Sequence, residues 1–145
     1  MRRQGMKYKK LVQEYLKAWG NGDFKALEKT CAPDFVLDDP DGGPVTREGL
    51  KDFLVKLRKR VPGGKPPFVE NVDVIGDKEW RNAYCWWTIP GSGLTGTGLI
   101  TASDRGVLSE RVTYYCKLPG KGLARKSLAT RSRAKTTARQ KRAAG

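Results

Sequence analysis

The hydrophobic period of this chain changes once, and the place where it changes limits what the chain can fold into. Between Lys7 and Arg60 apolar residues recur at helical spacing, and from Phe68 onward they alternate. Leu11, Val12, Tyr15, Leu16 and Trp19 form one stripe of a first helix. Gly20-Asn21-Gly22 ends it, because glycine and asparagine tolerate the left-handed cap conformation. Asp23 is suited to cap a short second helix with Phe24 and Leu27 inward. Pro33 marks a turn, Phe35-Val36-Leu37 reads as a short strand, and Asp38-Asp39-Pro40 leads into a polar turn, Asp41-Gly42-Gly43-Pro44. Thr46 can cap a third helix over Arg47 to Arg60, with Leu50, Phe53, Leu54 and Leu57 on its apolar face. Four strands follow, Phe68–Ile75, Glu79–Ile89, Leu94–Ser103 and Val107–Leu118, separated by hairpin-like turns. Helices first and an antiparallel meander second predict an α+β domain with helices packed on one face of a curved sheet.

Length and charge set the domain layout. A chain of 145 residues, 38% hydrophobic, suffices for one core. The expected division is a flexible N-terminus over 1–6, a domain over 7–119 and a basic, disordered tail over 120–145. Residues 121–145 carry nine of the 29 Lys and Arg and none of the 15 Asp and Glu, so the other 120 residues hold 20 basic against 15 acidic side chains. The stretch LVQEYLKAWG after the basic N-terminus is too polar for a signal peptide, and no apolar run is long enough to span a membrane. The expectation is a soluble, cytoplasmic protein. Three widely spaced cysteines, Cys31, Cys85 and Cys116, fit buried thiols in a reducing compartment. There is no histidine. Ser-His-Asp and Cys-His nucleophiles are therefore excluded, as are imidazole-ligated zinc sites, and any acid or base must be a carboxylate, Tyr, Lys or Cys. Gly91-Ser92-Gly93-Leu94-Thr95-Gly96 matches a dinucleotide fingerprint in letters only, since a strand rather than a helix follows it.

The order of these elements resembles the nuclear transport factor 2-like superfamily, whose cone-shaped, cystatin-like folds wrap a curved sheet around a pocket. The residues that carry the resemblance are Gly20-Asn21-Gly22-Asp23, Ala32-Pro33-Asp34-Phe35, Gly43 with Arg47-Glu48-Gly49, Thr95-Gly96-Thr97-Gly98, and Arg111-Val112-Thr113-Tyr114-Tyr115. Residues 14–50 are most similar to the ketosteroid isomerase branch and to SnoaL-like polyketide cyclases. The resemblance implies Asp39 as a general base and Tyr15 as a hydrogen-bond donor to a developing oxyanion, with no cofactor and no metal. It implies a pocket lined by Trp19, Phe53 and Leu57 from the helices and by Cys85, Trp87 and Gly98 from the strands. By register with the isomerase, Arg111, Thr113 and Tyr115 would also face inward. Gly98 falls where the isomerase has its second oxyanion-hole acid, so steroid isomerisation itself does not follow from the match.

Two functions remain open from the residues. One is an isomerase, cyclase or lyase acting on a small hydrophobic or carbonyl-bearing ligand. The other is a non-catalytic ligand-binding or protein-interaction module whose tail, through Arg125, Lys126, Arg131 and Arg133, contacts nucleic acid or another acidic partner. In Trp80-Arg81-Asn82-Ala83-Tyr84-Cys85-Trp86-Trp87 aromatic residues fall on both faces of the strand. One set must therefore lie outside the cone, which points to a homodimer through the outer sheet face.

Overall fold

The computed structural model describes residues 2–114, and the expectations for the basic tail and Tyr115 lie outside them. Three helices, α1 (Arg2–Asn21), α2 (Phe24–Thr30) and α3 (Leu50–Arg60), pack against one sheet. Its strands are β1 (Cys31–Asp39), β2 (Gly43–Thr46), β3 (Glu70–Gly76), β4 (Asn82–Ile89), β5 (Leu94–Ser103) and β6 (Gly106–Tyr114). The α+β class expected from the period switch is the one observed.

The sheet holds six strands in the order β2-β1-β6-β5-β4-β3. The meander β3–β6 is antiparallel as expected, and β1 joins its far edge parallel to β6. The parallel pairing extends β1 at both ends beyond Phe35–Leu37. The stretch read as a polar turn instead closes a tight hairpin in which Asp39 opposes Gly43 and Val36 opposes Thr46. Because that pairing draws Thr46 into the sheet, α3 starts at Leu50 with Gly49 at its N-cap and no side-chain cap bond.

At the other end α1 begins at Arg2, within the segment expected to be flexible. Gly5 in this turn lies near the backbone of Lys78 and Glu79, where an added Cβ would make ordinary van der Waals contact at 3.7 Å. The Tyr8 hydroxyl donates to Asp104 Oδ1 at 2.8 Å, fastening the same helix to the turn between β5 and β6. The Asp23 carboxylate caps α2 as anticipated, accepting from the Ala26 N–H at 3.1 Å. Arg58 of α3 donates to the Gly22 carbonyl at 2.7 Å, so the turn after α1 and the end of α3 are tied together.

The core lies between the helices and the concave face of the sheet. Val12, Tyr15, Leu27, Phe35, Leu37, Leu50, Ile100 and Val107 are all almost completely buried. Each such side chain contributes on the order of 1.5–3 kcal/mol of burial free energy, so removing any one of them costs a sizeable share of a domain's net stability. On the convex face Ile75, Tyr84 and Leu99 are neighbours across β3, β4 and β5, and each is at least partly exposed. Tyr84 and Trp86, in edge contact, form the outward aromatic set of β4, with Cys85 and Trp87 turned inward. No helix among the described residues is long and apolar enough to cross a membrane.

Candidate functional site

A cavity of about 380 Å³ lies between the concave sheet face and helices α1 and α3. Its walls are chiefly apolar, from Leu16 and Trp19 on α1, Phe53 and Leu57 on α3, and Cys85, Trp87 and Ile89 on β4. Trp19 meets Phe53 edge-on at 5.7 Å between ring centres, and Trp87 meets Tyr114 edge-on at 5.4 Å. Besides Asp39 and Glu110, the acids Asp41 and Asp52 and the bases Lys56 and Arg60 line it. Among the described residues no group of His, Cys, Asp or Glu is arranged to hold a metal ion.

Two carboxyl groups face this space from neighbouring strands, and each is held by a tyrosine. Asp39, at the end of β1, is only 4% exposed. The Tyr114 hydroxyl lies 3.1 Å from both of its oxygens, and the Asp41 backbone N–H donates to Oδ1 at 3.0 Å. Burial and the adjacent Asp39 carboxylate raise the Tyr114 pKa, so Tyr114 remains a protonated donor. Glu110, on β6, is 5% exposed and accepts from the Tyr15 hydroxyl at 2.6 Å. Burial pushes its carboxyl from 4.5 up to about 7, against the Tyr15 hydrogen bond, which lowers it. Tyr15 is itself raised well above its ordinary value, first by burial and then by Glu110.

Gly98 explains how Glu110 fits. A Cβ at Gly98 would collide with Glu110 Oε2 and lie 3.0 Å from its Cδ and 3.1 Å from Cys85 Sγ. Gly96 makes the same kind of room for the Trp87 ring, which would lie 2.5 Å from an added Cβ. Cys85 and Cys31 are both pushed up to about 12, chiefly by burial, so both stay neutral thiols beside the carboxyl. Two buried polar atoms of cavity-lining residues have no hydrogen-bond partner among the described residues, the Trp19 indole N–H and Asn71 Oδ1.

A cone of sheet closed by three helices around an apolar cavity is one setting for such a site, and the sequence match decides the family. The SnoaL-like domain matches residues 12–116. The chain belongs to the SnoaL-like family. No curated protein matches it. Among solved structures, a provisional polyketide cyclase from Sinorhizobium meliloti superposes with a TM-score of 0.58 at 23% identity, over 76% of this chain and 99% of that one. A nuclear transport factor 2-like protein from Burkholderia xenovorans gives 0.60 at 17% identity, over 85% and 94%. A protein with a ketosteroid isomerase-like fold from Catenulispora acidiphila, solved with trimethylamine, gives 0.55 at 16% identity, over 72% and 84%. These likenesses establish the fold.

Within this SnoaL-like fold, Asp39, Trp19, Phe53, Leu57, Cys85 and Trp87 all line the cavity. Tyr15 and Asp39 are not brought together: Tyr15 is bonded to Glu110 behind the cavity wall, and Asp39 is bonded to Tyr114. Gly98 lies beneath Glu110 and is not part of the lining. Arg111 and Thr113 face outward and are exposed, opposite to the expectation from register. The reason is a bulge at Leu108. Ala102 pairs with Val107 but Thr101 pairs with Ser109, so one extra residue in β6 reverses the alternation beyond it. Glu110, Val112 and Tyr114 therefore face the cavity. The usable signal in the sequence was a lone carboxylate in phase with Val112 and Tyr114, the apolar face of the strand.

Proposed function

We propose that the protein is a cofactor-independent small-molecule enzyme of the isomerase, cyclase or lyase kind, with Asp39 as its general base. The observation that carries this reading is the placement of a buried carboxylate, fixed by Tyr114 and a backbone N–H, on the wall of a largely apolar cavity of about 380 Å³. That volume falls in the range of small-molecule pockets, roughly 300–1,000 Å³. A substrate with an apolar body would displace water from the cavity, leaving Asp39 as a base close to a carbon–hydrogen bond beside a carbonyl. Tyr114 holds the carboxylate in one orientation, so little reorganisation accompanies proton transfer. The described relative from Sinorhizobium meliloti, a provisional polyketide cyclase, supports the same class of substrate, since cyclisation of a polyketide also starts at a carbon flanked by carbonyls.

The reading is tested with 2-tetralone, an apolar ketone whose protons beside the carbonyl are readily removed. Exchange of those protons for deuterium in D₂O, followed by proton NMR, is expected to be accelerated by the protein. Asp39→Asn is expected to lower that acceleration by about 100-fold or more, the usual worth of a positioned base. Wild-type exchange rates in Asp39→Asn would refute the assignment.

A further inference from the structure

Asp39 is a buried carboxylate whose charge has no counter-charge beside it. Its donors are both neutral, the Tyr114 hydroxyl 3.1 Å from each oxygen and the Asp41 backbone N–H on Oδ1. Among the described residues no Lys or Arg lies within ion-pair distance of Asp39 or of Glu110. The rest of the lining does not make up the difference. Asp41 and Asp52 are matched in number by Lys56 and Arg60, which leaves Asp39 and Glu110 in excess. Burial pushes the Glu110 carboxyl up to about 7, so at neutral pH the lining carries a surplus of between one and two negative charges. A buried charge of this kind is unfavourable until an opposite charge joins it.

The walls next to that carboxylate are aromatic. The Tyr114 ring carries the hydroxyl that holds Asp39, and Trp87 meets this ring edge-on, the two planes at 88°. Trp19 and Phe53 form a second pair on the helical side, at 86°. All four rings line the cavity. The face of an aromatic ring attracts a cation, most strongly where water is excluded. The chain's own cations use this attraction elsewhere, Lys9 over Trp80, Arg58 over Phe68 and Arg81 over Tyr8. Among the described residues no Lys or Arg lies over any of the four cavity rings.

We infer that the cavity binds a quaternary ammonium ion, paired with Asp39 beside the Tyr114 and Trp87 rings. Full substitution on nitrogen is what the walls demand. A bare ammonium carries three N–H donors that each need an acceptor, and these walls are chiefly apolar. Alkyl groups on nitrogen remove the donors and give the cation an apolar surface, which packs on the rings while its charge faces the carboxylate. The inference goes beyond the reading of Asp39 as a base, since an ion pair asks only that the carboxylate be charged and within reach. Where that reading also holds, the cation is an inhibitor. It takes the place of the ketone, and its pairing with Asp39 stabilises the carboxylate and makes it a weaker base.

The test titrates the full chain by calorimetry with choline and with 3,3-dimethylbutan-1-ol, which has the same shape without the charge. The choline Kd is expected to be lower by about 10-fold or more, because a desolvated cation–ring contact and an ion pair act together. Asp39→Asn keeps the shape of the side chain and removes its charge, and there the ratio is expected to fall to about 2- to 5-fold, what the rings alone supply. The alcohol is expected to bind wild type and Asp39→Asn equally, which shows the cavity of the variant intact. Should that variant not fold, the wild-type ratio and its response to salt decide. The ratio is expected to survive about 0.5 M sodium chloride, since buried charges are screened far less than exposed ones. Equal binding of choline and the alcohol, an undiminished ratio in folded Asp39→Asn, or a ratio that disappears in salt would each overturn the inference. Deuterium exchange of 2-tetralone in the same samples separates the two assignments. Charge-selective binding without exchange overturns the role of Asp39 as a base alone, and exchange without charge-selective binding overturns the ammonium site alone. Where both occur, choline is expected to slow the exchange competitively, and exchange undisturbed by saturating choline would overturn the placement of the cation at Asp39.

Discussion

Replacing Glu110 by Gln should change how the stability of the fold depends on pH, whatever the ligand. Folding raises this carboxyl from 4.5 to about 7, so between those values the folded state binds a proton that the unfolded chain has released. Stability is then fully present below pH 4.5 and declines as pH rises, the loss being complete above about 7. The difference of about 2.5 units, at 1.36 kcal/mol each, corresponds to a decline of about 3 kcal/mol from this one group. For a urea slope of about 1–3 kcal/mol per molar, that is a midpoint lower by roughly 1–3 M at pH 8 than at pH 4.5. Other shifted groups do not titrate in the window. Asp77 and Asp104 are lowered from 3.8, Cys31 and Cys85 lie at about 12, and the tyrosines are raised. Glutamine keeps an acceptor for Tyr15 and has no proton to lose, so Glu110→Gln should hold a nearly constant midpoint from pH 5 to 8. Parallel wild-type and Glu110→Gln profiles over that range would refute the picture of a desolvated, cation-free acid.

Three further outcomes follow from the packing. Gly98→Ala places a methyl group against the Glu110 carboxyl and Cys85 Sγ, and is expected to cost about 1–3 kcal/mol in urea unfolding. The cost should shrink in a Glu110→Ala background, and a double-mutant cycle with no coupling would contradict the contact. Asp23→Ala removes the α2 cap and should lower stability by about 1 kcal/mol; an unchanged midpoint would show that the cap bond contributes nothing. The convex row Ile75, Tyr84 and Leu99 is expected to be covered by a second copy of the chain. Sedimentation should therefore depend on dilution, and Leu99→Asp should give a monomer at all concentrations. A wild-type protein that sediments as a monomer at high concentration would count against it.

The elements most legible in the sequence were those fixed by local chemistry. The α1 stripe, the Asp23 cap and the long strand Leu94–Ser103 need only neighbouring residues to declare themselves, and each is where the sequence put it. What escaped depends on partners distant in the chain. The strand character of Gly43–Thr46 comes from pairing with β1, which overrides the turn propensity of Gly and Pro. The missing acid at Gly98 was visible as an absence, but its meaning was not. The glycine is vacant because Glu110, on the next strand over, occupies the space, and Glu110 reaches it because the bulge at Leu108 sets the phase of β6. Alternation read without the bulge turns Arg111 and Thr113 inward and turns Glu110 out. With Leu108 in the chain, the bulge decides whether Glu110 or Arg111 faces the cavity; the bulge itself is defined by a hydrogen-bonded partner strand, and the sequence's own pointer is the apolar phase that Glu110 shares with Val112 and Tyr114. The same reasoning makes a specific demand on the protein. Deleting Leu108 would remove the bulge yet leave Ser109, Glu110 and Arg111 opposite Thr101, Ile100 and Leu99, so Glu110 would stay on the cavity face and bonded to Tyr15. That variant, like Leu108→Ala, should retain the stability transition near pH 7 in urea unfolding, and loss of the transition in the deletion would contradict the pairing of β6 with β5.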